Sequence, residues 1–88
     1  MDEELMEMLE DKAITFPEFD GCVAGVVIRA NGESVVCYDY HKIIAQLSLD
    51  MPEEDAVEHF YFNVVGSNLG AFTPCFLFRN IDASITDV

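Results

Sequence analysis

Three residues in one short stretch carry the groups that nucleophilic catalysis uses. Cys37, Asp39 and His41 supply a thiol, a carboxylate and an imidazole at alternate positions. A catalytic cysteine needs a histidine within hydrogen-bonding reach and an acid that orients that histidine. We expect Cys37 to point into a sheet face and His41 to open a helix, with Asp39 as the cap of that helix. The interpretation is therefore a core thiol beside a surface histidine, and the chain is predicted to be no enzyme, with no catalytic residues.

Cysteines and histidines are too few and too scattered for a metal site. The chain has three cysteines and two histidines, with no CxxC pair and no spacing typical of zinc ligands. We predict no metal and no cofactor. The cysteines lie in apolar runs, which indicates free thiols in a reducing cytosol. Cys22 and Cys37 are expected on one face of a hairpin, about 13 Å apart at strand rise, beyond disulfide reach.

Charge is the extreme feature of the composition. Seventeen acidic residues against four basic ones give a formal net charge of −13. Binding to a nucleic-acid backbone needs clustered Lys and Arg, and adhesion to an anionic membrane needs basic segments. The charge therefore argues against both, and it leaves two interpretations open. The acidic surface binds a basic protein partner, or it serves solubility alone.

Length and hydropathy bound the organisation of the chain. Eighty-eight residues, of which 51% are hydrophobic, suffice for a single domain with one core. We expect weakly tied ends, an N-terminal helix within residues 1–12 and a tail at 82–88. The acidic start lacks the basic region of a signal peptide, and no apolar run approaches the roughly 20 residues that span a bilayer. These features predict a soluble protein in the cytoplasm of a host cell.

The first half of the chain predicts a helix and a hairpin. Apolar residues at i, i+3 and i+4 spacing indicate a helix over residues 2–12. Residues 22–30 and 34–38 are rich in Val and Ile, and they flank Asn31-Gly32, a strong signal for a two-residue type I′ turn. That turn would place Ile28 opposite Val35 and Val26 opposite Cys37. Val27 would then share a face with Val36 and Tyr38.

The second half predicts two helices and a last strand. Asp39 can cap a helix that runs to Leu49. Asp50, with Glu53 three residues on, resembles a capping box for a second helix, with Pro52 in its first turn and Gly66 as its C-cap. Residues 75–79 form the last strand. We predict an α+β fold of order α-β-β-α-α-β, in which a three-stranded antiparallel sheet carries both helices on one face.

The helix from Pro52 has the most informative surface. Its acidic side presents an aromatic residue, Phe62, in the middle of carboxylates. One interpretation is that the following loop or the N-terminal segment covers Phe62. The other is an aromatic anchor rimmed by charge, as in binding hot spots. On the second interpretation the predicted partner-binding residues are Asp50, Glu53, Glu54, Asp55, Glu58 and Phe62.

Three segments of the chain resemble a family of short uncharacterised proteins common in bacteriophage genomes. The segments read VCYDYHK at 36–42, MPEEDAVEHFYFNVVG at 51–66 and TPCF at 73–76. The family pattern reads V-x-Y-D-Y-D-K, then E-E-A-x-E-x-F-E-F-N-x-x-G, then T-P-x-F. The chain departs from this pattern at His41 and Tyr61, where the family carries acids. The resemblance implies a phage or prophage origin, and it brings no assigned activity.

Two classes of function follow. In the first, the chain binds and inhibits a host protein with a basic surface, as anti-defence proteins such as anti-CRISPR or nucleic-acid-mimic inhibitors do. In the second, it is a non-enzymatic structural or accessory phage module that acts as a small homo-oligomer. Because both faces of the predicted sheet are apolar, the N-terminal helix or a second subunit must cover one of them, and we predict a homodimer.

Overall fold

The computed structural model describes residues 3–9, 13–67, 70 and 72–79. Its elements, in chain order, are α1 (Glu3–Met8), a 3₁₀ helix (Pro17–Cys22), β1 (Val23–Ile28), β2 (Ser34–Asp39), α2 (Tyr40–Leu47), α3 (Glu53–His59), a π-helical turn (Phe60–Val64), a second 3₁₀ helix (Val65–Ser67) and β3 (Cys75–Leu77). The fold is mixed α+β with a three-stranded sheet. The 3₁₀ helix at 17–22 was not predicted, whereas the helical turns at 60–67 continue the helix predicted from Pro52. Positions 10–12 and the predicted tail at 82–88 lie outside the described residues. Within those residues, no helix has the length and apolar character needed to cross a bilayer.

The sheet is mixed, and the prediction of a purely antiparallel sheet is wrong. Its strand order is β1-β2-β3. β1 and β2 pair antiparallel, whereas β2 and β3 pair parallel. Parallel neighbours require a long crossover connection, usually helical, because the chain must travel back to the end of the sheet at which the first strand began. The segment with α2 and α3 between β2 and β3 supplies that crossover.

The predicted hairpin forms, but its turn is of another type. The Arg29 N–H donates to the Glu33 carbonyl at 2.7 Å, and the Gly32 N–H donates to the Arg29 carbonyl at 2.8 Å. Gly32 has φ of +89°, and no described residue other than glycine has a positive φ. Asn31 therefore lacks the left-handed angles of a type I′ turn, and its side chain accepts from the Glu33 N–H at 3.0 Å. The result is a type I turn followed by a left-handed glycine, a three-residue loop.

The extra loop residue shifts the register by one. Val27 pairs with Val35 and Val26 pairs with Val36, so the predicted partners of Val26 and Ile28 are wrong. Side chains opposite each other share a face, and a slip of one residue exchanges the faces. Val27 therefore lies on the face of Val35 and not, as predicted, on that of Val36.

The two faces of β2 separate Cys22 from Cys37. Cys22 packs in the core cluster with Val36 and Tyr38. Cys37 lies between those two residues along β2, so strand alternation points its side chain to the opposite face. The prediction that Cys22 and Cys37 share a face is wrong. Cys22 is in the 3₁₀ helix, before β1 begins.

The core lies between the sheet and the two helices that follow β2. The largest fully buried side chains are Tyr38, Phe60, Ile43 and Val36. They belong to one cluster with contributions from α2 and from the π turn after α3, which places both helical segments on one face. The Tyr38 hydroxyl accepts from the Phe16 N–H at 2.7 Å, so the polar end of this buried ring is satisfied.

Asp39 begins α2 as predicted. Its carboxylate accepts from the Lys42 N–H at 3.2 Å, and the helix then ends at Leu47 rather than Leu49. The predicted capping box of Asp50 and Glu53 does not form. The Asp50 N–H donates to the Leu47 carbonyl at 3.2 Å, which ties Asp50 to the turn that follows α2. Pro52 is the N-cap of α3, without a side-chain cap bond.

The end of α3 also differs from the prediction of a C-cap at Gly66. The α-helix ends at His59, and the chain continues through the π turn and the second 3₁₀ helix. Gly66 has no positive φ. A Cβ at this position would lie 3.3 Å from the Tyr61 carbonyl oxygen, so the absence of a side chain permits the close approach of these two backbone segments.

Candidate partner-binding surface

Phe62 projects from the π turn into solvent. Its side chain is 75% exposed, while Phe60 and Val64, two residues before and after it, are buried. Neither the described N-terminal segment nor the described part of the loop after residue 64 covers it. Within the described part of the chain, the interpretation of Phe62 as a covered core residue is therefore excluded. A phenyl ring held in water is an apolar surface with nothing to pack against, which is unfavourable unless a partner buries it.

Phe62 lines a shallow surface depression of about 400 Å³. Its other lining residues are Met51, Asp55, Glu58, His59 and Asn63. Residues three, four and seven apart on a helix share a side, which brings Asp55, Glu58 and Phe62 together. The depression therefore combines one aromatic ring with two carboxylates.

His59 and Asn63 close one side of the depression. The Asn63 side-chain amide lies 3.2 Å from Nδ1 of His59, one helical turn earlier. A π-helical turn, such as the one that carries Phe62 and Asn63, is rare in proteins and occurs frequently at functional sites.

The structure brings together three of the six predicted partner-binding residues. Asp55, Glu58 and Phe62 line the depression. Glu53 lines a different depression, between α2 and α3. Asp50 and Glu54 are exposed outside both. Met51, His59 and Asn63 were missed, although the i, i+4 spacing of positions 55, 59 and 63 could have indicated the last two.

Cys37, Asp39 and His41 each have separate structural roles. The Asp39 carboxylate caps α2 and lies 2.7 Å from Nε of Arg79. Nε2 of His41 lies 2.9 Å from the Arg79 carbonyl oxygen, and its ring contacts Phe78 with centroids 4.6 Å apart. Cys37 pairs in the sheet with Cys75. Among the described residues, no group of three or more His, Cys, Asp or Glu side chains is arranged to hold a metal ion.

The sheet face that bears Cys37 carries a second depression, which is apolar. It measures about 210 Å³ and is lined by Ala24, Gly25, Val26, Val27, Cys37 and Leu77. Val27 and Leu77 are 38% and 43% exposed. Among the described residues, part of the sheet face opposite α2 and the π turn is thus exposed.

Comparison with known proteins gives no relative. No family model matches the chain, and no similar curated protein or solved structure was found.

Proposed function

We propose that the chain is a small acidic phage-type interaction protein that binds and inhibits a host protein with a basic surface. The observation that carries this proposal is the exposed Phe62 ring beside the carboxylates of Asp55 and Glu58, in one depression on α3 and the turn after it. Binding hot spots combine such an aromatic anchor with a polar rim.

The depression suits an arginine side chain of the partner. A guanidinium group stacks on an aromatic face and donates to carboxylates in a planar fork, whereas the lysine ammonium is a point charge. The Phe62 ring offers the stacking face, and Asp55 and Glu58 offer acceptors within one helical turn. The partner is therefore expected to present arginine at the centre of its basic surface.

Long-range charge adds an effect on the rate of association. A net charge of −13 on 88 residues attracts a basic surface before contact and repels a phosphate backbone. Proteins that bind nucleic acid in basic grooves are partners of this kind. The resemblance of segments 36–42, 51–66 and 73–76 to short phage proteins implies a phage origin, and inhibition of a host defence protein is a role that such binding would serve in a phage. Anti-CRISPR activity is one form of that role.

A capture experiment with variants of this surface tests the proposal. The chain, immobilised, should retain a basic protein from a lysate of a host bacterium. Phe62→Ala should weaken binding of that protein by about 2 kcal/mol or more, the hot-spot threshold. Asp55→Lys with Glu58→Lys should slow association, more so at low salt, and should also speed dissociation, because both carboxylates accept from the bound arginine. Arginine-rich and lysine-rich peptides of equal charge serve as direct probes, and the arginine-rich peptide should bind more tightly.

Matched variants separate the surface from general effects. Met6→Ala removes another exposed apolar side chain, and Glu7→Lys with Glu18→Lys changes the net charge by the same amount at other exposed positions. These variants should leave binding of the captured protein nearly unchanged. The Phe62→Ala protein should also stay within about 0.5 kcal/mol of the original stability. A loss of stability with unchanged binding would contradict the proposal.

A second candidate function is a structural or accessory module that self-associates. The observation in its favour is the apolar depression on the sheet, with Val27 and Leu77 partly exposed. Apolar patches of this kind on a small protein mark contact surfaces. Salt separates the two functions, since screening weakens binding of a basic partner and favours association between like-charged copies.

A further inference from the structure

Cys37 and Cys75 are neighbours across the parallel strands β2 and β3. They form one of the register pairs of the sheet, although 38 positions separate them in the sequence. Paired residues of parallel strands point to the same face, and their Cα atoms lie about 4.8 Å apart, within the span of about 4.4–6.8 Å that a disulfide bridges. Both cysteines are free thiols in the structure.

The two thiols differ in their access to solvent. Cys37 is buried, whereas Cys75 is partly exposed. Burial raises the pKa of Cys37 to about 11, and the hydrogen bond that its thiol makes to the neighbouring Cys75 sulfur acts in the same direction. At neutral pH the Cys37 thiol is therefore protonated, and Cys75 is the sulfur that a soluble reagent reaches first.

The third cysteine provides an internal control. Cys22 is buried in the core on the other side of the sheet. Its thiol lies 3.5 Å from Oε1 of Gln46, to which it donates. It has neither the sulfur neighbour nor the access of Cys75, so it should remain reduced under conditions that oxidise a surface dithiol.

We propose that Cys37 and Cys75 form a reversible dithiol–disulfide site that responds to a disulfide oxidant such as oxidised glutathione. Cys75 attacks the oxidant as the thiolate, forms a mixed disulfide and releases one glutathione. Cys37 then loses its proton to solvent, attacks the Cys75 sulfur and releases the second glutathione. Two electrons leave the protein, and one molecule of oxidised glutathione becomes two of the reduced form.

The bond would fasten a short edge strand. β3 has three residues, and within the described part of the chain it pairs with β2 alone. Side chains of adjacent strands stand about 4.8 Å apart, wider than the Cβ separation of about 3.5–4.5 Å in relaxed disulfides, so the bridge must draw the strands together. Strained disulfides are readily reduced, which is the property of a reversible redox site rather than of a permanent structural disulfide.

Thiol counting on the full chain tests the proposal. The reduced protein should present three thiols on denaturation, and oxidised glutathione should lower the count to one, with loss of two hydrogens in the intact mass. Reductant should restore three. The rate of ring closure should rise with pH above 7, because burial raises the pKa of Cys37 and the thiolate is the attacking form.

Single variants locate the bond. With oxidised glutathione, the thiol count of Cys22→Ala should fall from two to none. The reaction of Cys37→Ser should stop at the mixed disulfide, with one glutathione bound to Cys75. A trivalent arsenical, which bridges two nearby thiols without an oxidant, should bind the original protein and Cys22→Ala but not Cys37→Ser. A count that stays at three, consumption of Cys22, or covalent dimers in place of an internal bond would each overturn the proposal.

Discussion

At the scale of single residues, Asp39 shows how one side chain serves several elements. It is 3% exposed and lies where β2 ends and α2 begins. One carboxylate oxygen accepts from the Lys42 N–H, and the other pairs with Arg79, beyond the end of β3. A buried carboxylate costs free energy unless it is paired and hydrogen-bonded, and both conditions are met here.

Replacing Asp39 should therefore destabilise the fold. Asp39→Ala removes the cap of α2 and leaves Arg79 without its partner, with an expected loss of about 1–3 kcal/mol in the free energy of unfolding. Asp39→Asn keeps a cap acceptor for Lys42 and should cost less. Urea unfolding of the two variants measures the difference. Equal stabilities for Asp39→Ala and the original chain would show that the cap and the ion pair contribute nothing.

At the scale of elements, the β1–β2 hairpin shows how a single turn determines which side chains lie on each face of the sheet. Because Gly32 is the only residue of the turn at positions 30–32 with a positive φ, the loop has three residues and the register moves by one. That register places Val27 opposite Val35 on the face away from the helices. The apolar depression on the sheet follows from the turn.

Gly32→Ala should destabilise the chain by about 1–2 kcal/mol, because a Cβ is disfavoured at a φ of +89°. Gly32→Asn should cost less, since asparagine tolerates the left-handed region better. Gly21→Ala is the matched control. A Cβ at Gly21 meets no atom within 4 Å and Gly21 has no positive φ, so this change should be neutral or slightly stabilising. The three variants are compared by the urea concentration at the midpoint of unfolding. An unchanged stability of Gly32→Ala would argue against the three-residue loop.

At the scale of the whole molecule, strong like charge opposes self-association while the apolar sheet face favours it. The net charge is −13, and Val27 and Leu77 are partly exposed on that face. Repulsion between copies is screened by salt, whereas burial of apolar side chains is not weakened by it. The balance between these two effects sets the oligomeric state.

We expect a homodimer through the sheet face, which salt should strengthen. Val27→Glu places a charge on that face and should shift the population to monomers. Leu49→Glu is the control, because Leu49 follows α2, is 82% exposed and does not line the apolar depression on the sheet. Sedimentation at micromolar concentration measures the populations. A 9.9 kDa species alone, at low and high salt, would rule out the dimer.

The sequence by itself determined the features that are encoded within a few neighbouring residues. The Asp39 cap depends on the contact between positions 39 and 42, and the hairpin depends on the glycine after Asn31. The acidic side of α3, with Phe62 seven residues after Asp55, follows from helical periodicity. These features are predictable because the interactions that decide them lie within about one turn of helix or one tight loop.

Only the tertiary structure decided the direction of β3, the exposure of Phe62 and the contact between Cys37 and Cys75. Both orientations of β3 agree with the apolar pattern of residues 75–77, since the pattern of one strand does not encode the direction of its neighbour. The choice depends on the path of the chain through α2 and α3. The proximity of Cys37 to Cys75 and the exposure of Phe62 depend on which distant segments pack together. That packing is decided by the free energy of apolar burial against the loss of chain entropy, summed over the whole molecule.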